Sequence, residues 1–236
     1  MDGSQQGTPQ QGIPTSAAPA GAQQRRSLTG AATAATVLIS FMLVREVLVS
    51  VGNWHDYVVV HDYLAGRATA ADLEAADSGA LAMLGGFWPG ALVGIAAGVP
   101  FLVWLWRARI NAELMSGAAA HRRARGWVVG GWTAPVVNLW IPYQVVRDIW
   151  RASAPQRSVP VTLVNAWWAL FVVATFVVKP IQWRMASTFD SEQDVLSNAN
   201  VSTLLTVLYL AAAVLLFVIV RRITAWQTHG QARNAV

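Results

Sequence analysis

Four long apolar runs, separated by polar segments, dominate the pattern of this chain. They cover residues 31–51, 85–106, 161–183 and 202–220. Each run comes close to the roughly 20 residues that a helix needs to cross a hydrocarbon core of about 30 Å. The pattern predicts an all-α fold, a polytopic membrane protein with four transmembrane helices.

The segments outside these runs differ in composition. Residues 1–27 are mainly Gln, Pro, Gly and Ala, with almost no bulky apolar residue, and they are predicted to form a disordered, low-complexity tail. Residues 28–226 form the predicted four-helix membrane domain. Residues 227–236 form a short polar tail that is predicted to be cytoplasmic.

The charges between the runs predict how the chain crosses the membrane. Residues 53–83, after the first run, and residues 184–194, after the third, carry mostly acidic side chains. Most of the 17 basic residues instead precede the first run, lie between the second and third, or follow the fourth. By the positive-inside rule, we expect a plasma-membrane protein with both termini in the cytoplasm.

A fifth stretch, residues 126–146, has no charge and is long enough to count as another span. Pro135 and Pro142 would each remove a backbone donor from it. Spanning would also export one of the two arginine clusters that flank it. These are Arg122, Arg123 and Arg125 before it, and Arg147, Arg151 and Arg157 after it. Residues 107–157 are therefore predicted to form a cytoplasmic element, either re-entrant or flat on the membrane surface.

Local patterns within this element predict helices. The second span is expected to continue to Met115, with Arg109 and Glu113 paired at i,i+4. Pro142 suits the first turn of an amphipathic surface helix that runs to Ala152. Its apolar face consists of Tyr143, Val146, Ile149 and Trp150. Its basic pair is Arg147 and Arg151. The glycines that permit close backbone approach before it are Gly126, Gly130 and Gly131.

The run from Trp106 to Ser153, with WRARINAE and GWVVGGWTAPVVNLWIPYQVVRDIWRAS, is similar to the actinobacterial integral membrane family called domain of unknown function 4328. The likeness covers residues 31–222. It implies a four-span membrane protein, commonly with a Pro/Gln/Gly-rich cytoplasmic tail, and it implies no activity. The matching positions are Trp106, Arg107, Arg109, Asn111, Gly126, Trp127, Trp132, Pro135, Asn138, Pro142, Trp150 and Arg151.

The overall composition supports the membrane class and excludes several chemistries. The chain is 55% apolar and only 12% charged, whereas soluble domains are about 25% charged. It contains no cysteine, which excludes disulfides, thiolate metal sites and cysteine nucleophiles. The net charge of +5 lies beside the apolar runs, so we expect no nucleic-acid partner.

Arg45 and Glu46 are ionisable residues inside the first run, where charge is costly unless it is paired or hydrated. One hypothesis is a coupling or gating pair within the bundle. Neighbouring residues point about 100° apart on a helix, however, which argues against a simple internal pair. We therefore favour a span that ends near Leu43, with both side chains reaching the outer headgroups.

The tryptophans fall into two groups. Those at span ends, where an amphipathic ring suits the headgroup region, are Trp54, Trp88, Trp104, Trp106 and Trp183. Those within the cytoplasmic element, which we expect to pack against the bundle and the interface, are Trp127, Trp132, Trp140 and Trp150.

The repeat His55–Asp56–Tyr57 and His61–Asp62–Tyr63 is the one pattern that resembles a metal or acid–base site. Its spacing supplies too few ligands, so a hydrated loop is favoured over zinc, and no metal or cofactor is expected. Thr69 with Asp72 predicts the start of a short helix through Ala76.

The sequence contains no phosphate loop, dinucleotide fingerprint or nucleophile elbow. We therefore expect a non-enzymatic accessory, regulatory or interaction protein that uses the Trp/Arg/Pro element. The expected partners are the lipid bilayer, anionic headgroups, and an unidentified membrane protein or a second copy of the chain. The alternative is a small channel or transporter in which residues 126–146 line a path with Asn138 and Gln144.

Overall fold

The computed structural model describes residues 25–133, 136–155 and 159–233, with side chains up to Thr228. No strand occurs in these ranges. The predicted tail lies almost wholly outside them, and so do Pro135 and Arg157. The helices are α1 Thr29–Leu64, α2 Ala70–Ser78, α3 Ala80–Gly85, α4 Phe87–Ser116, α5 Trp127–Thr133, α6 Ile141–Ser153, α7 Thr162–Val172, α8 Lys179–Met185 and α9 Glu192–Arg233.

Four helical segments of the described chain are long and apolar enough to cross a membrane. They are α1, the segment Ala70–Ser116 that contains α4, the segment Thr162–Met185 and α9. Within Thr162–Met185, a π-helical turn at Val173–Val178 joins α7 to α8. Helix α1 packs against α4 and α9, and α9 packs against α7. The predicted all-α, four-span, multi-pass membrane fold is confirmed.

The helices are longer than the apolar runs that predicted them. Helix α1 has 36 residues, which corresponds to about 54 Å at 1.5 Å per residue. It includes the repeat at His55–Tyr57 and His61–Tyr63, so the prediction of a loop there was wrong. Helix nucleation is costly, but a helix extends readily once it has formed. Between the apolar run and Gly66 there is no proline, and Gly52 is the only glycine.

We call the end of the bundle around Leu64, α2 and α3 the acidic end. Thr69 and Asp72 form a capping box at the start of α2, with the Asp72 carboxylate accepting from the Thr69 backbone N–H at 2.7 Å. The predicted helix start is confirmed, and the helix runs two residues beyond Ala76, to Ser78. Helices α2 and α3 fold back against α1.

The opposite, basic end contains a hairpin of α5 and α6, joined by a 3-10 turn at Val137–Leu139. The two helices meet closely because Gly131 has no side chain; a Cβ there would lie 2.8 Å from Ile141 Cγ2. The Trp132 ring contacts Phe101 of α4, with the centroids 5.6 Å apart. Phe101 precedes Arg107 by six residues, about 9 Å along the helix axis. The hairpin therefore reaches into the bundle.

Helix α6 is amphipathic, as predicted, but its apolar face packs inside the protein. Val145, Val146, Ile149 and Trp150 are all buried. Trp150 is 1% exposed, its Nε1 donates to the Pro160 carbonyl at 3.2 Å, and its ring meets Trp226. Trp150 therefore packs against the bundle, as expected, and this face of α6 closes it.

The predicted location of Trp104 was wrong. It was assigned to the membrane interface, but it is fully buried, and its Nε1 donates to Thr224 Oγ1 of α9 at 3.1 Å. Trp88 and Trp183, at the acidic end, are 74% and 67% exposed. Their exposure fits rings that contact headgroups.

Candidate functional site

A buried charge network fastens α4 to the hairpin at the basic end. Arg109 Nε donates to Glu113 Oε1 at 2.8 Å, which confirms the predicted i,i+4 pair. Arg125, just before α5, binds the other oxygen of Glu113. Arg109 Nη2 also donates to the Arg123 carbonyl, and Arg123 Nε donates to Gln144 of α6 at 2.9 Å. The network thus fixes the segment that leads into the hairpin.

Two other residues of the family pattern bind the backbone just before α1. Asn111 is fully buried; its Oδ1 accepts from the Arg26 backbone N–H and its Nδ2 donates to the Arg26 carbonyl, at 2.7 and 2.8 Å. Arg107 donates to the Ser27 carbonyl at 3.2 Å. Both pairings join positions 80 or more residues apart. Sequence reasoning had no signal for either of them.

Gln227, at the basic end, is another residue that the sequence did not single out. It is fully buried, and its Nε2 donates to the Ala108 carbonyl at 3.0 Å and to Ser153 Oγ at 2.7 Å. One amide therefore links α9, α4 and α6. The predicted start of the polar tail at residue 227 falls inside α9.

His121 is buried next to this network, between α4 and α5. Burial lowers the pKa of its imidazole, and the Arg109 guanidinium lowers it further. Its neighbour Arg122 donates its backbone N–H to Asp148 of α6 at 2.9 Å. His121 is therefore neutral when the folded protein is at neutral pH.

The other family-pattern residues in and beside the hairpin differ in exposure. Gly126 and Trp127 are exposed, Pro142 is buried in the first turn of α6, and Trp106 packs partly against the core. Arg151 is exposed, and Arg147 lies over the Tyr143 ring at 5.7 Å. Asn138 Nδ2 donates to the Trp132 carbonyl at 3.4 Å. Helix α6 begins at Ile141, with Pro142 in its first turn as predicted.

Arg45 and Glu46 form an ion pair within α1, and both side chains are nearly buried. This burial does not fit the expectation that both side chains reach the outer headgroups. The argument against pairing was wrong, because the long arginine side chain bends back to its neighbour. Arg45 Nη2 also donates to the Leu84 carbonyl at 2.7 Å. The Glu46 carboxylate lies 3.9 Å from Lys179 Nζ on α8. These three residues form a charged cluster inside the bundle.

Two cavities lie on either side of this cluster. An apolar cavity of about 310 Å³ includes Ile39, Glu46, Phe101, Trp132 and Tyr209 in its wall. A polar cavity of about 230 Å³ lies towards the acidic end. Its polar lining is Asn53, Asp56, Lys179, Gln182 and Asn198. Neither Asn138 nor Gln144 lines either cavity.

The remaining candidates contribute little chemistry. His61 Nδ1 lies 2.7 Å from Glu192 on the exposed acidic end, and His55 lies beside Asp56. In the described part of the chain, no group of three His, Asp or Glu side chains is placed to hold a metal ion.

Comparison with known proteins gives a family and no function. The family model described as Domain of unknown function (DUF4328) matches residues 66–225. The chain belongs to this family. No curated protein and no solved structure matches it. The matched range takes in α2 to α8, most of α9 and the whole hairpin. It includes the α4 wall of the apolar cavity and the α8 wall of the polar cavity.

Proposed function

We propose that this member of the family is a non-enzymatic accessory or regulatory protein of the plasma membrane, with both termini in the cytoplasm. In this proposal the hairpin of α5 and α6 is a re-entrant element on the cytoplasmic side. Its outer surface contacts anionic lipid headgroups.

The observation that carries the proposal is the combination of exposed apolar and basic side chains around the hairpin. The exposed apolar residues are Trp127, Val129, Val136, Leu139 and Trp140. The exposed arginines at the same end include Arg26, Arg122, Arg151, Arg221 and Arg222. Apolar residues at hydrocarbon depth beside arginines at phosphate depth suit an anionic membrane surface.

The inward side of the hairpin supports the re-entrant arrangement. Trp132 lies against Phe101, Trp168 and Phe171, which belong to spanning helices. Trp168 Nε1 donates to the Leu139 carbonyl of the 3-10 turn at 3.0 Å. Backbone that is not helical is tolerated at membrane depth where protein buries and satisfies it.

A lipid-selectivity experiment tests the headgroup contact. The purified protein is presented with phosphatidylglycerol and phosphatidylcholine in mixed micelles, and bound lipid is measured by mass spectrometry. Each of Arg122→Gln and Arg151→Gln should reduce the preference for phosphatidylglycerol by about fivefold, since one basic residue near an anionic surface contributes about 1 kcal/mol. Arg184→Gln, on an exposed arginine at the acidic end, is the matched control. Equal effects of all three substitutions would contradict the proposal.

The absence of cysteine from the sequence makes a topology test direct. Ala120 is exposed at the basic end and Ala71 at the acidic end. In intact cells, a membrane-impermeant maleimide should label Ala71→Cys and spare Ala120→Cys. Labelling of Ala120→Cys instead would overturn the cytoplasmic placement.

A small channel or transporter is the second candidate, in which residues 126–146 line a path. The observation in its favour is Trp132, which brings the hairpin into the wall of the apolar cavity. It predicts ion flux in proteoliposomes that Trp132→Ala increases. A wild-type protein that gives no flux above empty liposomes, with Trp132→Ala equally silent, would exclude it.

A further inference from the structure

The two cavities lie along one face of α1. Ile39, Met42, Leu43 and Glu46 line the apolar cavity. Val49, Gly52, Asn53 and Asp56 line the polar cavity. These positions recur at every turn, as single residues or as the neighbouring pairs 42–43 and 52–53, which places them on one side of the helix. The cavities are therefore stacked along the bundle, with Glu46 at their boundary.

The apolar cavity exists because small residues face each other across the bundle. Its wall includes Gly94, Ala97 and Gly98 of α4 and Ala212 and Ala213 of α9. A Cβ built at Gly94 or Gly98 would meet no atom within 4 Å. The space next to these two glycines is thus open, and a larger side chain there would occupy part of the cavity.

Hydrocarbon is the occupant that suits this cavity. A buried water needs two to four polar partners. Glu46, the one charged residue in the described wall, is already bonded to Arg45, and the Tyr209 hydroxyl lies 3.4 Å from Thr175 Oγ1. The volume of about 310 Å³ is roughly twice that of an engineered apolar cavity that stays dry and binds benzene. A bilayer supplies hydrocarbon chains around the whole bundle.

The polar cavity suits a hydroxyl group. Asn198 is 4% exposed, and its Oδ1 has no hydrogen-bond partner among the described residues, so it lacks a donor. Lys179 Nζ, which donates to Gln182 at 3.2 Å, has further N–H groups to offer. A hydroxyl can donate to Asn198 and accept from Lys179. A carboxylate cannot donate, and it would also face Asp56 in the same wall.

We propose that the bundle binds a single-chain amphiphile with an uncharged, hydroxyl-bearing head. The hydrocarbon chain fills the apolar cavity and the hydroxyl head lies in the polar cavity. Between them, the Glu46–Lys179 contact of 3.9 Å is long, and the Lys179 side chain is 41% exposed, so this side chain can move aside. The site lies away from the arginine-rich surface of the hairpin and does not depend on the function proposed for it.

The chain-binding part is tested with 1-monooleoylglycerol on the delipidated full-length protein, by native mass spectrometry. Gly98→Leu and Gly94→Leu should each weaken binding at least tenfold, because leucine fills the cavity. Ala96→Leu, on the exposed side of the same helix, should leave binding unchanged. Gel filtration identifies which variants fold, and two filling variants guard against the loss of one. Undiminished binding to folded Gly98→Leu or Gly94→Leu overturns the proposal.

The head-binding part is tested by comparing 1-monooleoylglycerol with methyl oleate, which has the same chain and no hydroxyl. The wild-type protein should bind the glycerol ester at least tenfold more tightly, and Asn198→Ala should abolish most of that difference. Equal affinity of the wild-type protein for the two esters would overturn the assignment of the head. A preference that Asn198→Ala leaves intact would overturn it as well.

Discussion

Arg109 and Glu113 lie one turn apart on α4 and form an ion pair whose side chains are 2% and 6% exposed. A charge that is buried this deeply is tolerated only when its partner is present. The second partner of Glu113, Arg125, is 45% exposed. The two arginines therefore stabilise the fold to very different degrees.

Replacing Glu113 should be far more damaging than replacing Arg125. Glu113→Ala leaves Arg109 buried without a counter-charge, and we expect it to lower the free energy of unfolding by about 3–5 kcal/mol. Arg125→Gln removes a partly exposed pair and should cost about 0–1 kcal/mol. Thermal unfolding in detergent measures both. Similar losses for the two variants would show that the network is not organised around the buried pair.

Trp150 should behave as a core residue and Trp140 as a surface residue. Trp150→Ala removes a buried ring and its hydrogen bond to Pro160, and should cost about 3–5 kcal/mol. Trp140 is 41% exposed, and Trp140→Ala should cost less than about 1 kcal/mol. Denaturant titration of the two purified variants checks this order, and a more damaging Trp140→Ala would refute it.

Gly131 should tolerate no side chain. In Gly131→Ala the new methyl group would lie 2.8 Å from Ile141 Cγ2, so α5 and α6 would have to separate. We expect a loss of about 1–3 kcal/mol from overpacking. Gly126→Ala is the control, because a Cβ at Gly126 meets no atom within 4 Å. Melting temperatures of the two variants distinguish them, and equal values would argue against the close approach.

The stability of the protein should fall in mild acid because of His121. Burial, with a smaller contribution from Arg109, lowers the pKa of this imidazole below its ordinary value of 6.5. Below pH 6.5 the unfolded chain takes up a proton that the folded protein resists, so the free energy of unfolding decreases as the pH falls through this region. At higher pH both states are neutral and the effect vanishes.

The measurement for His121 is the melting temperature between pH 5 and pH 8, for the wild-type protein and for His121→Gln. The variant has no imidazole at this position and should show a smaller decrease on acidification. His55, exposed at the acidic end, provides the matched control in His55→Gln. A pH dependence that His121→Gln leaves unchanged would assign the effect to another group.

Sequence patterns predicted the parts of the fold that depend on local chemistry. Apolar runs identified the four spans, the i,i+4 rule paired Arg109 with Glu113, and the Thr69–Asp72 spacing located α2. They failed where the burial of a side chain depends on its packing against another helix. Trp104 lies at a span end like a residue of the interfacial belt, and only its contact with α9 shows that it belongs to the core.

The candidate sites could be predicted only in part. Arg45 and Glu46 stood out because charge is rare within a span, but the pairing between adjacent residues depends on a rotamer that no periodicity reveals. Lys179 stood out less, since it lies near the end of its run and its partner is 133 positions away on α1. Both cavities are lined by residues of several helices, so no single segment of the sequence indicates them.

The π-helical turn at Val173–Val178 decides which way Lys179 faces. A π turn closes its hydrogen bonds over five residues instead of four, so it accommodates one residue more than the α-helix it interrupts. If the same residues wound as a continuous α-helix instead, Lys179 would be carried about 100° round the helix axis, away from Glu46. In evolutionary terms, the loss of one exposed residue such as Val177 should be tolerated here, because it removes the extra residue and leaves Lys179 facing Glu46 from a regular α-helix.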